Sequence, residues 1–554
     1  MADSSREDFG RVLQRGFLGG VDTRRQADLL AETQVVEARN ADLSRSTLRR
    51  RPGLSSVLTV TGSLAAEYQP VLMQTVLLPG KGERLFGLVN VGNSSSKFFI
   101  YDGSDSGALT YAGPGMFSEE GDLVLFGDRV YALDPNSPAR YWKSGDVSMR
   151  EDEAGIRGTP HGTSGLFFQF RGYVVGDPGR PDLIYFSKLL GNAAVNADEE
   201  QTGQRGDQTL VWHPEQSFRL STGNGVKLLP FRNSAIIILT DRGIESFEPN
   251  NCNPLDPTML VLSRHFGCSS KHGARVVGED IFFPDQVGHI RSLKQSLTDE
   301  SQGVLDRPLT EPISDVISRV NPQRLKAIRA FTFANHYIVG FPTDYSEQAA
   351  EFWAYKLDDH SWIGPWTFKD DLAGTRLTFP CIATARLARE DRERAFGVAK
   401  SSTDAKLFRM FQSRTDDSST ITWRLVTRAF DGGAPDIDKQ WQHFDVRFRF
   451  LDQATGDANV SLLWRARLDE GPWTTSATAT ITPDGTPELD DSGTPPVVGT
   501  AVIADYKDQI VKVQLTGMGT GRTLQLELTV TDATAAFEIL GVHATALQNN
   551  VRFT

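Results

Sequence analysis

Apolar and polar residues alternate at period two along most of the chain, and short polar turn sequences interrupt the alternation at intervals. The stretch from Ile236 to Phe247, IIILTDRGIESF, contains the unit: four apolar residues run into Thr240, Asp241, Arg242 and Gly243, and the alternating strand Ile244, Glu245, Ser246, Phe247 follows. That order predicts a β-hairpin. The unit recurs at Leu85 to Tyr101 (LFGLVNVGNSSSKFFIY), Leu123 to Trp142 (LVLFGDRVYALDPNSPARYW) and Phe167 to Phe186 (FFQFRGYVVGDPGRPDLIYF). It returns at Val276 to Leu293, Ile328 to Trp362 and Arg394 to Phe411. Turn centres about 40 to 60 residues apart match a blade of about 40 to 50 residues with loop insertions. Both faces of a propeller blade stack on neighbours, so its middle strands are apolar on both sides, as Ile236 to Leu239 and Ile281 to Phe283 are. The predicted body is an all-β propeller of six or seven blades over residues 56–412. The helix-like EPISDVISRV, Glu311 to Val320, is expected to cross between blades.

The flanks read differently. After Gln412 a polar link, SRTDDSST, leads into TWRLVTRAF, HFDVRFRF, NVSLLWRARL, TATATI, DQIVKVQL, RTLQLELTV and FEILGVHA, separated by turns such as Asp431-Gly432-Gly433 and Asp484-Gly485. This pattern predicts an antiparallel β-sandwich over residues 413–554. Residues 1–55 lack the unit and are expected as an N-terminal arm with a helix-like patch near Ala27 to Ala31. The basic run Arg45, Arg49, Arg50 and Arg51 supplies candidate arm contacts to phosphate. Alternation around Leu43 and Leu48, ended by Pro52-Gly53, favours a polar strand face for the same residues.

Composition bears on the kind of protein. Fifty glycines and 27 prolines spread along 554 residues supply the turns that short strands need. The opening MADSSREDFGRVL is acidic where a secretion signal is basic, and no apolar core follows it, so secretion is not expected. No apolar run approaches the roughly 20 residues of a membrane-spanning helix. Three scattered cysteines fit a reducing compartment. A net charge of −12 disfavours adhesive binding to nucleic acid. It does not disfavour a wall past which DNA slides, because adhesion grows with the number of cationic contacts.

Candidate chemistry is sparse. Cys252, His265, Cys268 and His272 are the ligand types that zinc takes, but their spacing is not a finger pattern. The pairs Asp102 with Asp105 and Asp490 with Asp491, and the group Glu119, Glu120 and Asp122, lie in Gly- and Ser-rich turns, where acids cap the local backbone. Gly517, Gly519 and Gly521 precede a strand and not a helix, which argues against a dinucleotide fingerprint. No phosphate loop and no nucleophile elbow occurs. Neither an enzyme nor a cofactor is expected.

Three passages carry a resemblance. GFLGGVDTRRQADLLAETQVVEARNADLSRSTLRRRPG, HFGCSSKHGARVVGEDIFFPDQVGHIRSL and TWRLVTRAFDGGAPDIDKQWQHFDVRF follow one another along the chain, the last with Lys439 and Trp441 entering a strand. They resemble the opening, middle and transition segments of tail nozzle or hub proteins of short-tailed bacteriophages. The resemblance implies a structural virion protein, assembled in the bacterial host cytoplasm and located in the virion tail. It implies a homo-oligomeric ring, typically a hexamer, below the portal and the tail adaptor, contacting tail fibre or plug proteins. Genome double-stranded DNA would pass through its lumen without sequence-specific binding. The acidic turn residues Asp241, Glu279 and Asp285 are the candidates to face that lumen, the alternative being ordinary solvent-facing turns. The competing class is a carbohydrate-binding propeller, lectin or glycosidase, in which Trp362, Trp366 and Trp473 would stack on sugars.

Overall fold

In an extended strand successive side chains point to opposite faces, and this decides how the middle strands pack. Ile236 and Ile238 pack with Tyr173, Val175, Ile184 and Phe186 on one side, while Ile237 and Leu239 pack with Ile281 and Phe283 on the other. One strand thus joins the blade before it to the blade after it. Each large aliphatic side chain buried this way contributes roughly 1.5–3 kcal/mol. The computed structural model describes residues 12–15, 17–43, 47–60, 68–78, 80–92, 95–103, 110–152, 158–189, 212–250, 255–302, 307–369, 376–387, 392–400, 405–417, 419–432, 436–450, 460–481, 509–515, 517–530 and 537–548.

Among the described residues, seven small antiparallel sheets succeed one another. Their innermost strands are Tyr68–Leu78, Asp122–Phe126, Ser164–Phe168, Gly225–Phe231, Arg275–Val277, Arg329–Phe333 and Cys381–Ala385. Neighbours in that series lie side by side, and the last lies against the first, so the series closes into a ring. The chain is an all-β, propeller-like protein with seven blades in the described residues. Each of the seven hairpin units read from the sequence falls within a different blade.

Blade five departs from the four-stranded rule. It has three strands, Arg275–Val277, Asp280–Pro284 and Ile290–Ser292, and the helix Leu293–Gln302 follows them, packing Leu293 and Leu297 on the blade core. The expected crossing between blades is a short helical segment, Glu311–Ile313 and Ser314–Ser318, leading into blade six. Blade seven takes its outer strand from far away in sequence. Gly53–Val60 pairs antiparallel with Ala405–Ser413, from Gly53 opposite Ser413 to Val60 opposite Ala405.

The second domain has two sheets. One orders Gln509–Gln514, Lys439–Phe450, Phe537–Gln548, Leu48–Arg50 and Ala41–Asp42, with Val12–Arg15 and Thr520–Gly521 added at its sides. The other orders Gly20–Val21, Gln34–Arg39, Trp423–Thr427, Leu524–Val530, Val460–Leu468 and Ala477–Ile481. Phe444 and Val542 of the first sheet share a buried cluster with Leu425, Leu462 and Leu528 of the second, and the rings of Phe444 and Trp464 meet edge to face at 5.3 Å. All seven strands expected after Gln412 are present.

The expected N-terminal arm is not separate: residues 12–50 supply five strands to this second domain. Val35, Ala38, Ala41 and Leu48 are fully buried there. Gln34–Arg39 also covers the edge of Trp423–Thr427, which would otherwise present unpaired backbone groups. The helix-like patch is a single 3-10 turn, Ala27–Leu29.

The chain crosses between domains twice at one place. Leu54 N–H donates to Thr415 O at 3.0 Å, and Asp417 N–H to Leu54 O at 3.1 Å. Beside this crossing Arg51 is buried, its Nη2 2.5 Å from Asp416 Oδ2 and its guanidinium 4.1 Å above the Phe368 ring. Arg51 Nε also donates to Asn40 Oδ1 at 3.1 Å, and Asn40 Oδ1 accepts from Thr367 N at 2.7 Å. Removing one partner of such a pair leaves a buried charge uncompensated, whereas an apolar pair of similar volume does not. Asp416→Ala is therefore expected to cost about 3–5 kcal/mol, and the double variant Arg51→Met with Asp416→Leu to recover most of that loss, both read by urea denaturation.

Candidate functional site

The seven inner strands enclose an axial cavity of about 410 Å³. Contacts draw the leading residues of six of them together. Asp122 begins the inner strand of blade two, Lys227 lies near the start of that of blade four, and Arg275 and Arg329 begin those of blades five and six. Lys271 and His272 lie in the turn just before Arg275. Blades three and seven join through backbone: Gly165 N–H donates to Asp122 Oδ2 at 3.2 Å, and Arg329 Nε donates to Pro380 O at 2.6 Å.

The partners of these charges are specific. Lys227 Nζ lies 3.1 Å from Asp122 Oδ2. The Lys271 ammonium donates to the carbonyls of Glu120, Gly121 and Thr163, tying blade five to blades two and three. Arg329 Nη1 donates to Lys326 O at 2.6 Å and to Ile328 O at 3.3 Å, while Arg275 Nη1 donates to Ala274 O at 2.9 Å. His272 and Arg275 keep part of their surface open to the cavity.

Burial and mutual repulsion shape the titration of the group. Burial alone would raise the Asp122 carboxyl, but Lys227 and then Lys271 outweigh it and hold the group below its ordinary value. Burial pushes the Lys271 ammonium down to about 7, with Asp122 opposing. Burial, followed by Arg329, Lys271, Lys227 and Arg275, pushes the His272 imidazole well below its usual value, so it is neutral at neutral pH. The hub lining is electropositive: Lys227, Arg275 and Arg329 stand around Asp122 and the neutral His272, and Lys271 adds its charge as the pH falls below about 7.

The acids singled out in the sequence do not form one cluster. Asp241 closes the blade-four turn, accepting from Asn224 N at 2.8 Å and Asn224 Nδ2 at 3.0 Å. Asp285 is buried, 2.7 Å from Arg291 Nε, and accepts from Val287 N and His289 N at 2.9 and 3.0 Å. Glu279 stands exposed in the turn before Asp280–Pro284, and Asp285 follows the other end of that strand. In the basic run, Arg45 lies outside the described residues. Arg49 Nε lies 3.1 Å from Asp42 Oδ2, Arg50 is partly enclosed beside Arg414, and Arg51 is spent inside the domain junction.

The zinc-type residues do not converge either. Cys252 lies outside the described residues, His265 is exposed, and the Cys268 thiol donates to Ser270 O at 3.3 Å, with burial pushing it up to about 12. Among the described residues no three His, Cys, Asp or Glu side chains are placed to hold a metal ion. Trp362 and Trp366 are buried and donate to Leu309 O and Ala41 O at 2.7 and 2.6 Å, so they cannot stack on sugars. Trp473 is half-buried under the Arg467 guanidinium, 4.7 Å from its ring centre.

Sequence reading missed the hub cations. Their signal is a Lys or Arg at the head of an otherwise apolar inner strand: GVKLLPF, ARVV and IRAFTF in three successive blades.

No protein-family model and no curated protein sequence matches the chain. Among solved structures it is similar to YCF48 bound to D1 peptide, at 9% identity over 64% of this chain and 97% of that one, with a TM-score of 0.34. It is also similar to the extracellular domain of the putative one component system BT4673 from B. thetaiotaomicron, at 8% identity over 90% of this chain, with a TM-score of 0.36. A second structure of that domain, described as a putative hybrid two component system, gives 8% identity over 89% of this chain and a TM-score of 0.37. The chain spans 62% and 61% of the lengths of those two BT4673 structures. Likeness of this degree carries nothing about what the chain binds.

Lys271 gives the hub a pH signature. Its folded value near 7 lies below the ordinary 10.5, so above pH 7 the unfolded chain holds a proton that the folded chain has released, and stability rises with pH. Above about 9 the buried thiols of Cys268 and Cys381, both pushed up to about 12, act in the opposite direction. Stability is therefore expected to rise between pH 7 and 9 with a contribution of up to about 1.4 kcal/mol per pH unit from Lys271. Lys271→Met should flatten that slope in urea titrations at pH 7, 8 and 9.

Proposed function

We propose that the chain is the repeating subunit of a ring-shaped tail nozzle or hub of a short-tailed bacteriophage, extending the DNA exit channel below the portal and adaptor. The observation that carries this reading is where the three resembling passages fall. The first supplies Gly20–Val21, Gln34–Arg39, Ala41–Asp42 and Leu48–Arg50 and ends at the domain crossing. The second is blade five together with Lys271, His272 and Arg275 of the hub. The third forms Trp423–Thr427 and Lys439–Phe450, one in each sheet of the second domain. They occupy the segments that set the architecture, in the order the family has them.

On this reading the protein is a gated conduit. A ring multiplies the charge of −12 per chain around its lumen, which keeps duplex DNA from adhering while it is retained and then released. Asp241 and the exposed Glu279 remain the candidates to face that lumen. Asp285 is committed to Arg291. The tail adaptor, and fibre or plug proteins, are the expected neighbours in the virion tail.

Mass photometry and negative-stain imaging of the purified chain, alone and with the tail adaptor, test this reading. A closed ring with an axial pore that admits duplex DNA, and no salt-dependent retention of linear DNA between 50 and 200 mM salt, is expected. A chain that stays monomeric with the adaptor present and is retained on a glycan array would overturn it.

A further inference from the structure

The hub carries an inference that does not depend on the tail reading. We propose that the axial cavity binds a small phosphate-class dianion, inorganic phosphate or the phosphate of a monoester, between Arg275 of blade five and Arg329 of blade six. Counting the charges at the hub leads there. Asp122 is taken by Lys227, at 3.1 Å, and by Gly165 N–H. Lys271 has three carbonyl acceptors. At the rim, Glu119 accepts from Gln69 and Gln348 at 3.1 Å, and Glu120 pairs with Lys326 at 2.5 Å.

Arg275 and Arg329 are left. Among the described residues neither has a carboxylate within ion-pair distance, and their only hydrogen bonds go to backbone carbonyls: Ala274 O for Arg275, and Lys326, Ile328 and Pro380 O for Arg329. The guanidinium cannot discard its proton as a lysine can, so holding two of them at the hub with no carboxylate in ion-pair distance carries a desolvation cost that a bound anion would offset. Both line the same cavity of about 410 Å³, beside the neutral His272 imidazole. A tetrahedral dianion matches two guanidiniums in charge, and Nη2 of Arg329 with Nε and Nη2 of Arg275 are the donors not already given to these carbonyls. A cavity of about 410 Å³ is the size of a small-molecule site.

Isothermal titration calorimetry of the full chain with sodium phosphate, at ionic strength matched with sodium chloride, tests the proposal. A parallel titration with glycerol phosphate separates the free ion from a monoester. Saturable binding near one per chain is expected, with sulfate competing and chloride not. Arg275→Gln should weaken it at least tenfold, whereas Arg242→Gln, on an exposed turn, should leave it unchanged. Arg329→Gln removes carbonyl contacts between blades six and seven and can unfold the chain, so Arg275→Gln decides. No phosphate heat from the wild-type chain beyond the chloride control, or equal affinity in Arg275→Gln, would overturn the site.

Discussion

A propeller is stable only if its ring closes, because every blade face is apolar and needs a neighbour. Here closure depends on a non-local strand pairing, Gly53–Val60 with Ala405–Ser413. This pairing places the chain that enters blade one on the outside of blade seven. Leu85, Val89, Phe99 and Tyr101 can then meet Phe396, Val398 and Leu407 across the joint. Were the ring open, those two faces would be wet. The buried Arg51–Asp416 pair stands where the closing strand leaves the second domain, so closure of the propeller and assembly of the sandwich share one anchor.

The hub follows from the same constraint. Closing seven blades turns the heads of their inner strands toward one axis, so charges spread over two hundred residues of sequence, from Asp122 to Arg329, become neighbours. Inside that enclosure burial, with repulsion between like charges added to it, lowers the titration of Lys271 and His272. The cations tie blades together through backbone carbonyls, and the two guanidiniums left over give the axis an affinity for anions. An electropositive hub thus sits inside a chain of net charge −12.

Much of the fold was legible because period-two alternation is local. Ile236 to Phe247 specifies its own hairpin, with Leu239 opposite Ile244, and the strands after Gln412 do the same. Of the N-terminal strands, Leu48–Arg50 was legible as a polar strand face, whereas Gly20–Val21 and Ala41–Asp42 are two residues long and too short to show a period. Their role is set by partners hundreds of residues away. Arg51 was misread for a related reason: a run of arginines looks like a solvated face, and only the fold brings Asp416 to it. The candidate acids were chosen for lying in turns, and Asp285 shows that a turn acid can be buried and paired. The hub cations escaped notice because each sits alone in its own strand.

Backbone hydrogen exchange across residues 53–60 tests the closing strand most directly. Protection of the amides that face Ala405–Ser413, lasting as long as that of Ala405–Ser413 itself and lost together with it, is the predicted result. Exchange of those amides at the rate of an open loop, while the inner strands of blade seven stay protected, would contradict a ring closed in this way.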